Sequence, residues 1–259
     1  MESFLPFALA ILATIVFAAI GTLIVRCFVT LTVSDGHNVV LVPIFQTAGT
    51  VYAVFLAFLV VAVWQSYDGA HDNVAEEASA LTTLYRASAG MEQASGAALR
   101  GLIRTYTHAV VEEEWPVQAA AGGTSQTARA AALAMFRLFQ HLPAEVRERD
   151  VAIDGASLSI LTQVMADRNK RTLESGESLP TIMWGAAIGI GLAVVGMSFF
   201  LHMEKRWPHM ASAAVMSGAM AMLVCIIFVM SRPFVGPMAL GPQPFKHSLE
   251  VYDAVDATP

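Results

Sequence analysis

Residues 38–67 read NVVLVPIFQTAGTVYAVFLAFLVVAVWQSY, a run of 30 positions without Asp, Glu, Lys or Arg. A helix of about 20 apolar residues crosses the roughly 30 Å hydrocarbon core of a bilayer. This run exceeds that length. Three more segments lack those charges for long enough to cross: 3–25, 179–201 and 210–231. The whole chain is 259 residues, 56% hydrophobic and 14% charged, where soluble domains carry about 25% charged residues. The expectation is an all-α integral membrane protein with spans near 4–25, 39–64, 181–201 and 210–230. The first segment follows Glu2 rather than a basic region. Its apolar run is longer than the roughly 7–15 residues of a signal peptide, so it is read as retained.

The spans divide the chain into a first transmembrane hairpin (1–67), a middle region (68–178), a second hairpin (179–231) and a Pro-rich C-terminal strap (232–259). The middle region is long enough for a small domain, and its periodicity is helical. Leu99, Leu102, Ile103, Tyr106 and Val110 share one face; Ala132, Met135, Phe136 and Phe139 share a second, ending at Pro143; Leu158, Leu161, Met165 and Thr172 share a third. Breaks are expected at 88–90, 121–123 and 154–155. Only Gly69 interrupts 68–85, so the second span is expected to continue into the domain. In the strap, Pro233 stops the fourth span, Gly236 permits a turn, and Phe245, Leu249 and Tyr252 recur at helical spacing. That spacing suggests a return onto the domain or a neighbouring subunit.

With four spans, the domain and both termini share a side. That side carries Arg168, Lys170, Arg171, Arg232 and Lys246 near membrane ends, against Arg26, Lys205 and Arg206 opposite. The positive-inside rule favours a cytoplasmic domain and a multi-pass protein of the cell (inner) membrane.

Within the second span, Gly49, Ala53 and Ala57 recur every four residues, as do Gly185 and Gly189 with Ala193 in the third and Ala213, Ser217 and Ala221 in the fourth. Such strips let backbones approach closely, within one subunit or between subunits. Val51, Phe55, Phe58 and Ala62 share a face, and Tyr52, Phe55 and Leu59 an overlapping one. Either could form a hydrophobic neck, face lipid or pack in the core. Gln46 is the one strongly polar side chain in the apolar part of that span; it could meet an ion or a neighbouring helix. No ionisable residue lies mid-membrane, which disfavours a proton-coupled relay. Trp64, Tyr67, Trp184 and Trp207 fall near span ends as interfacial anchors.

The polar clusters are modest. Asp72 and Glu76 share a helix face next to Glu77, and Glu112, Glu113 and Glu114 precede Trp115; both acidic groups read as solvated helix surface. Arg168 and Arg171 suit pairing with acidic surfaces, or phosphate or lipid headgroups. Cys27 and Cys225 lack metal-site spacing and read as buried thiols. No nucleotide loop, serine elbow or kinase signature occurs. An enzyme is disfavoured unless a metal sits at Asp72, Glu76 or Glu77, and no cofactor is implied. The net charge of −6 and the lack of a basic face exclude a nucleic-acid partner.

In chain order, Asn38, Tyr52, Trp64, Glu77, the Glu114–Trp115 pair, Arg168, Arg171, Pro180, Trp184 and the Arg232–Pro233–Phe234–Val235–Gly236 ending form a pattern that resembles a prokaryotic family of membrane proteins described as bestrophin-like. The resemblance covers most of the chain. It implies a relation to bestrophins, which are oligomeric anion channels with two spans, a helical cytosolic region and two more spans, the second span lining the pore. The bestrophin neck pattern and acidic calcium-binding cluster have no identified counterpart here. The expected function is a homo-oligomeric ion channel for anions. Its partners would be the lipid bilayer and small inorganic ions, and its pore-lining candidates are Gln46, Val51, Tyr52, Phe55, Phe58 and Leu59. The alternative is a non-conducting membrane protein whose helical domain binds a cytosolic partner or ligand.

Overall fold

The computed structural model describes residues 4–28, 37–121, 123–141, 151–176 and 179–257. Nine α-helices are described: α1 (Leu5–Phe28), α2 (His37–Ala87), α3 (Gln93–Ala109), α4 (Trp115–Ala121), α5 (Gln126–Gln140), α6 (Val151–Glu174), α7 (Thr181–Ser198), α8 (Arg206–Met230) and α9 (Gln243–Asp256). No strand occurs among the described residues. α1, the N-terminal part of α2, α7 and α8 are long and apolar enough to span a membrane. The protein is therefore an all-α membrane protein with four spanning helices and a helical extramembrane domain between the second and third.

The chain forms two compact units, residues 1–66 with 179–231, and residues 67–178 with 232–259. α2 contributes to both as one helix of 51 residues. No strong breaker follows Pro43, and Pro43 lies early enough that its missing N–H costs the helix one bond.

In the membrane unit, small residues let α1 and α8 approach. Ala18 and Ala213 are buried together with Val195, under Phe199, Met216 and Met220. One end of the unit is fastened by side chains reaching backbone carbonyls. Arg26 Nη2 donates to Met203 O at 2.7 Å, and His37 Nε2 donates to Phe200 O at 3.0 Å. Asn38 grips the His202 backbone twice, donating to its carbonyl at 2.7 Å and accepting from its amide at 3.0 Å. The connection between α1 and α2 lies outside the described residues. Cys27 is exposed and Cys225 half-buried. Neither is the buried thiol expected, because both lie on helices with broad outward faces.

The extramembrane unit has its own core. Leu99, Ile103, Tyr106 and Val110 are fully buried, as is Met135, with Ala132 and Phe139 nearly so. Two departures concern α6. It runs unbroken through Asp154–Gly155. Its inward face is also only partly apolar: Leu158 is exposed, and the completely buried residues are Leu161 and Val164 together with Ser157, Asp167 and Arg171. The ion pairs described below account for the buried charges. Pro143 lies outside the described residues.

Residues 232–257 fold onto this same unit. Gly236 adopts φ +100°, a left-handed turn open to glycine, and Leu240 N donates to Pro233 O at 2.7 Å. α9 then buries Phe245, Ser248 and Tyr252. Tyr252 stacks on Tyr85 with ring centroids 4.2 Å apart, and Arg104 pairs with Asp253 and Asp256 at 2.8 and 2.9 Å.

Candidate functional site

The first candidate surface is the outward face of α2 in the membrane unit. Tyr52, Leu56, Leu59 and Val63 are 7% exposed or less and turn toward the unit's own helices. Tyr52 donates from its hydroxyl to Ala187 O at 2.9 Å. The contact is possible because position 191 is glycine: a Cβ there would lie 2.5 Å from the Tyr52 oxygen. At about 3.6 residues per turn, the opposite face centres on Val54, Phe58 and Val61, which are 50%, 72% and 53% exposed. Thr47, Thr50 and Gln65 share that face and are exposed.

The six pore-lining candidates therefore separate. Tyr52 and Leu59 are buried within the protomer. Phe58 lies on the outward face. Val51 is exposed and Phe55 half-buried on one flank, and Gln46 is exposed on the other. Val54 and Val61 share this exposed face with Phe58 and do not stand out in the sequence, because an apolar helix carries no hydropathy contrast between its lipid-facing, partner-facing and core-facing sides.

The small-residue strips separate too. Ser217 and Ala213 of α8 are buried inside the unit. Gly49, Gly185 and Gly189 have no atom within 4 Å of an added Cβ, and Ala53 and Ala57 are exposed. These strips do not pack the protomer together. Near the span ends Trp64 is 57% exposed, Pro180 caps α7, and Trp184 meets Phe228 edge-on at 5.6 Å.

The second candidate site is a buried ionic cluster in the extramembrane unit. Arg171, Glu77 and Glu114 are all completely buried. Arg171 Nε and Nη2 donate to the two Glu77 carboxylate oxygens at 2.7 and 3.1 Å. Nη2 also reaches Glu114 Oε1 at 2.8 Å, and Nη1 reaches Gln118 Oε1 at 2.9 Å. Arg168 Nη2 donates to the other Glu114 oxygen at 2.6 Å, and the Tyr106 hydroxyl donates to Glu77 at 2.5 Å. Two cations thus meet two anions, which is what a buried charge requires. Burial acts to lower the Arg171 pKa, but Glu77, Tyr106 and Glu114 outweigh it and hold the guanidinium above its ordinary value. Burial, then the Glu77 charge, pushes the Tyr106 phenol well above its usual range.

A π-helical segment at Val110–Glu114 precedes α4. It offsets the helical register so that Glu114 and Trp115, neighbours in sequence, are both buried. Glu114 and Glu113 also reach the start of α5: Ser125 N donates to Glu114 Oε2 at 2.9 Å, and Ser125 Oγ to Glu113 Oε2 at 2.6 Å. Trp115 lies under Arg171, 5.4 Å from its guanidinium carbon, and edge-on to Phe234 and Phe245 of the strap. Its Nε1 donates to Leu240 O at 3.1 Å. Pro233 is buried with Phe234, and Arg232 is exposed.

The structure thus brings Glu77, Glu114, Trp115, Arg168, Arg171 and Phe234 together. Glu77 and Glu114 are corrected from solvated helix surface to buried ion-pair partners. Arg168 and Arg171 are engaged by those carboxylates rather than presented to headgroups. Asp72 and Glu76 are exposed while Glu77 turns inward, so the three carboxylates do not converge. No group of three His, Cys, Asp or Glu suited to a metal occurs among the described residues. Gln118 and Ser125 were missed, because neither sits in a charged run.

No curated protein matches this sequence. Several solved structures share its fold. Two are variants of a bacterial bestrophin homologue from Klebsiella pneumoniae. One superposes with TM-score 0.73 at 12% identity, covering 99% of this chain and 100% of that one; the other gives 0.72 at 13% identity, covering 97% and 98%. A third, described as a membrane protein variant, gives 0.72 at 13% identity, covering 95% and 98%. The sequence profile of the Bestrophin-like domain matches residues 12–245, most of the chain, and the protein belongs to that family.

Proposed function

We propose that the protein is a homo-oligomeric ion channel conducting anions, with α2 lining the pathway. The observation that carries this reading is the division of α2 into a buried side, Tyr52 to Val63, and an opposite side of exposed Val54, Phe58 and Val61. In a ring of subunits whose α2 helices back onto their own bundles, that opposite side faces the axis. Phe58 with the two valines then forms a hydrophobic neck that gates by wetting. Gln65 offers a polar contact along the same face, while the Thr47 and Thr50 hydroxyls donate to Pro43 O and Gln46 O within α2. The unpartnered Gly49, Ala53 and Ala57 strip on its flank, and Gly185 and Gly189 on α7, suit close approach by a neighbouring subunit. The resemblance to bestrophins supports anions as the permeant class. The loop cations support an inner-membrane protein with its domain in the cytoplasm.

The test is halide efflux from liposomes holding the purified full chain. The expected result is an assembled oligomer and chloride release faster than from empty vesicles. Vesicles that stay sealed around an assembled oligomer would contradict the reading.

A further inference from the structure

The four spanning helices line a half-open pocket of about 180 Å³ within the membrane unit. Its inner wall is formed by Tyr52, Ala187, Gly191 and Ser217, all nearly or fully buried. Every hydroxyl lining the pocket has already committed its proton. Tyr52 donates to Ala187 O at 2.9 Å, Ser217 Oγ to Ala214 O at 3.1 Å, and Thr14 Oγ1 to Ile11 O at 2.8 Å. A buried water needs about two to four polar partners, and these hydroxyls keep only acceptor lone pairs in an otherwise apolar lining. A dry apolar cavity of about 150 Å³ accepts benzene or xenon, so the size here suits hydrocarbon.

The way in is equally apolar. Phe17 on α1 and Ile188 and Leu192 on α7 line the cavity and are 50%, 51% and 53% exposed on the outside of the unit. Bilayer hydrocarbon reaches the interior past these three side chains without crossing a polar layer. An empty space of this size would forfeit dispersion contacts along its walls, and a hydrocarbon segment restores them. We propose that the cavity is a binding site for the end of a lipid acyl chain, inserted between α1 and α7 until it meets the Tyr52 ring. The site does not depend on ion conduction and would exist in a protein that conducts nothing.

The test reconstitutes the full chain with phosphatidylcholine whose acyl chains carry bromine near the methyl end, and maps the bromine by anomalous diffraction. The expected result is a bromine peak bounded by Tyr52, Gly191 and Ser217, lost in the cavity-filling variant Ala221→Phe. Cys225→Phe, from the next turn of the same wall, is the second filling variant should the first misfold. Bromine at the outer surface with none inside the wild-type cavity would overturn the proposal. So would an interior peak unchanged in a folded filling variant, or a side chain of a second copy occupying the space.

Discussion

Arg171 and Glu77 face each other across two hydrogen bonds of 2.7 and 3.1 Å, with neither side chain exposed to solvent. The pair joins α2 to α6, 94 residues apart in sequence. Glu114 and Gln118 hold the remaining edge of the same guanidinium.

Removing one side of such a pair strands the other. Arg171→Ala is expected to destabilise the extramembrane unit by about 3–5 kcal/mol, read as a lowered unfolding midpoint by tryptophan fluorescence. Arg171→Lys is expected to recover little of the loss, because an ammonium cannot reproduce the forked contact to Glu77 and Glu114. A midpoint unchanged in Arg171→Ala would show that the cluster does not hold the unit together.

Tyr52 and Gly191 form a second coupled pair. Gly191→Ala sets a methyl group 2.5 Å from the Tyr52 oxygen, and overpacking of this kind costs about 1–3 kcal/mol. Tyr52→Phe loses one hydrogen bond, worth about 0.5–1.5 kcal/mol. The double variant is expected to be more stable than the sum of the two losses, since removing the hydroxyl relieves the clash. Strict additivity in thermal unfolding of the full chain would argue against the contact.

The docking of α9 carries a pH dependence. Burial raises the Tyr252 phenol from 10.0 to about 12, and burial followed by the Asp256 hydrogen bond raises Tyr85 as well. Their folded pKa values lie above the ordinary value, so their contribution is complete below about pH 10 and is lost as pH rises through the folded values. Asp256 behaves oppositely. The Tyr85 hydroxyl, and then Arg104, hold it below the ordinary carboxylate value. Its contribution is present above that value and is lost as pH falls through the lowered one. Proteolytic release of the C-terminal segment is expected to stay flat across neutral pH and to rise at both extremes. Release centred in the histidine range, about pH 5–8, would contradict this account.

The architecture was legible because each span lies in an uncharged run long enough to cross a bilayer and because α3 and α5 are amphipathic. α6 was legible only in part: Leu161 is buried as expected, but Leu158 is not. Its inward face carries Asp167, Arg168 and Arg171, and hydropathy sends such residues outward until their partners are known. Glu77 and Glu114, 37 positions apart in sequence, give no local sign that they share one guanidinium. The motif order grouped them where composition could not. On α2 the limit was different: Tyr52, Phe55 and Phe58 look alike by hydropathy, and only the position of Ala187 and Gly191 shows which of them turns inward.

The most direct measurement is single-channel current in planar bilayers from the wild type, Phe58→Ala and Tyr52→Phe. The expected result is anion-selective current, enlarged in Phe58→Ala and unchanged in unitary size in Tyr52→Phe. Absence of current from an assembled protein, or a unitary current altered by Tyr52→Phe but not by Phe58→Ala, would contradict the assignment of the outward face of α2 to an ion pathway.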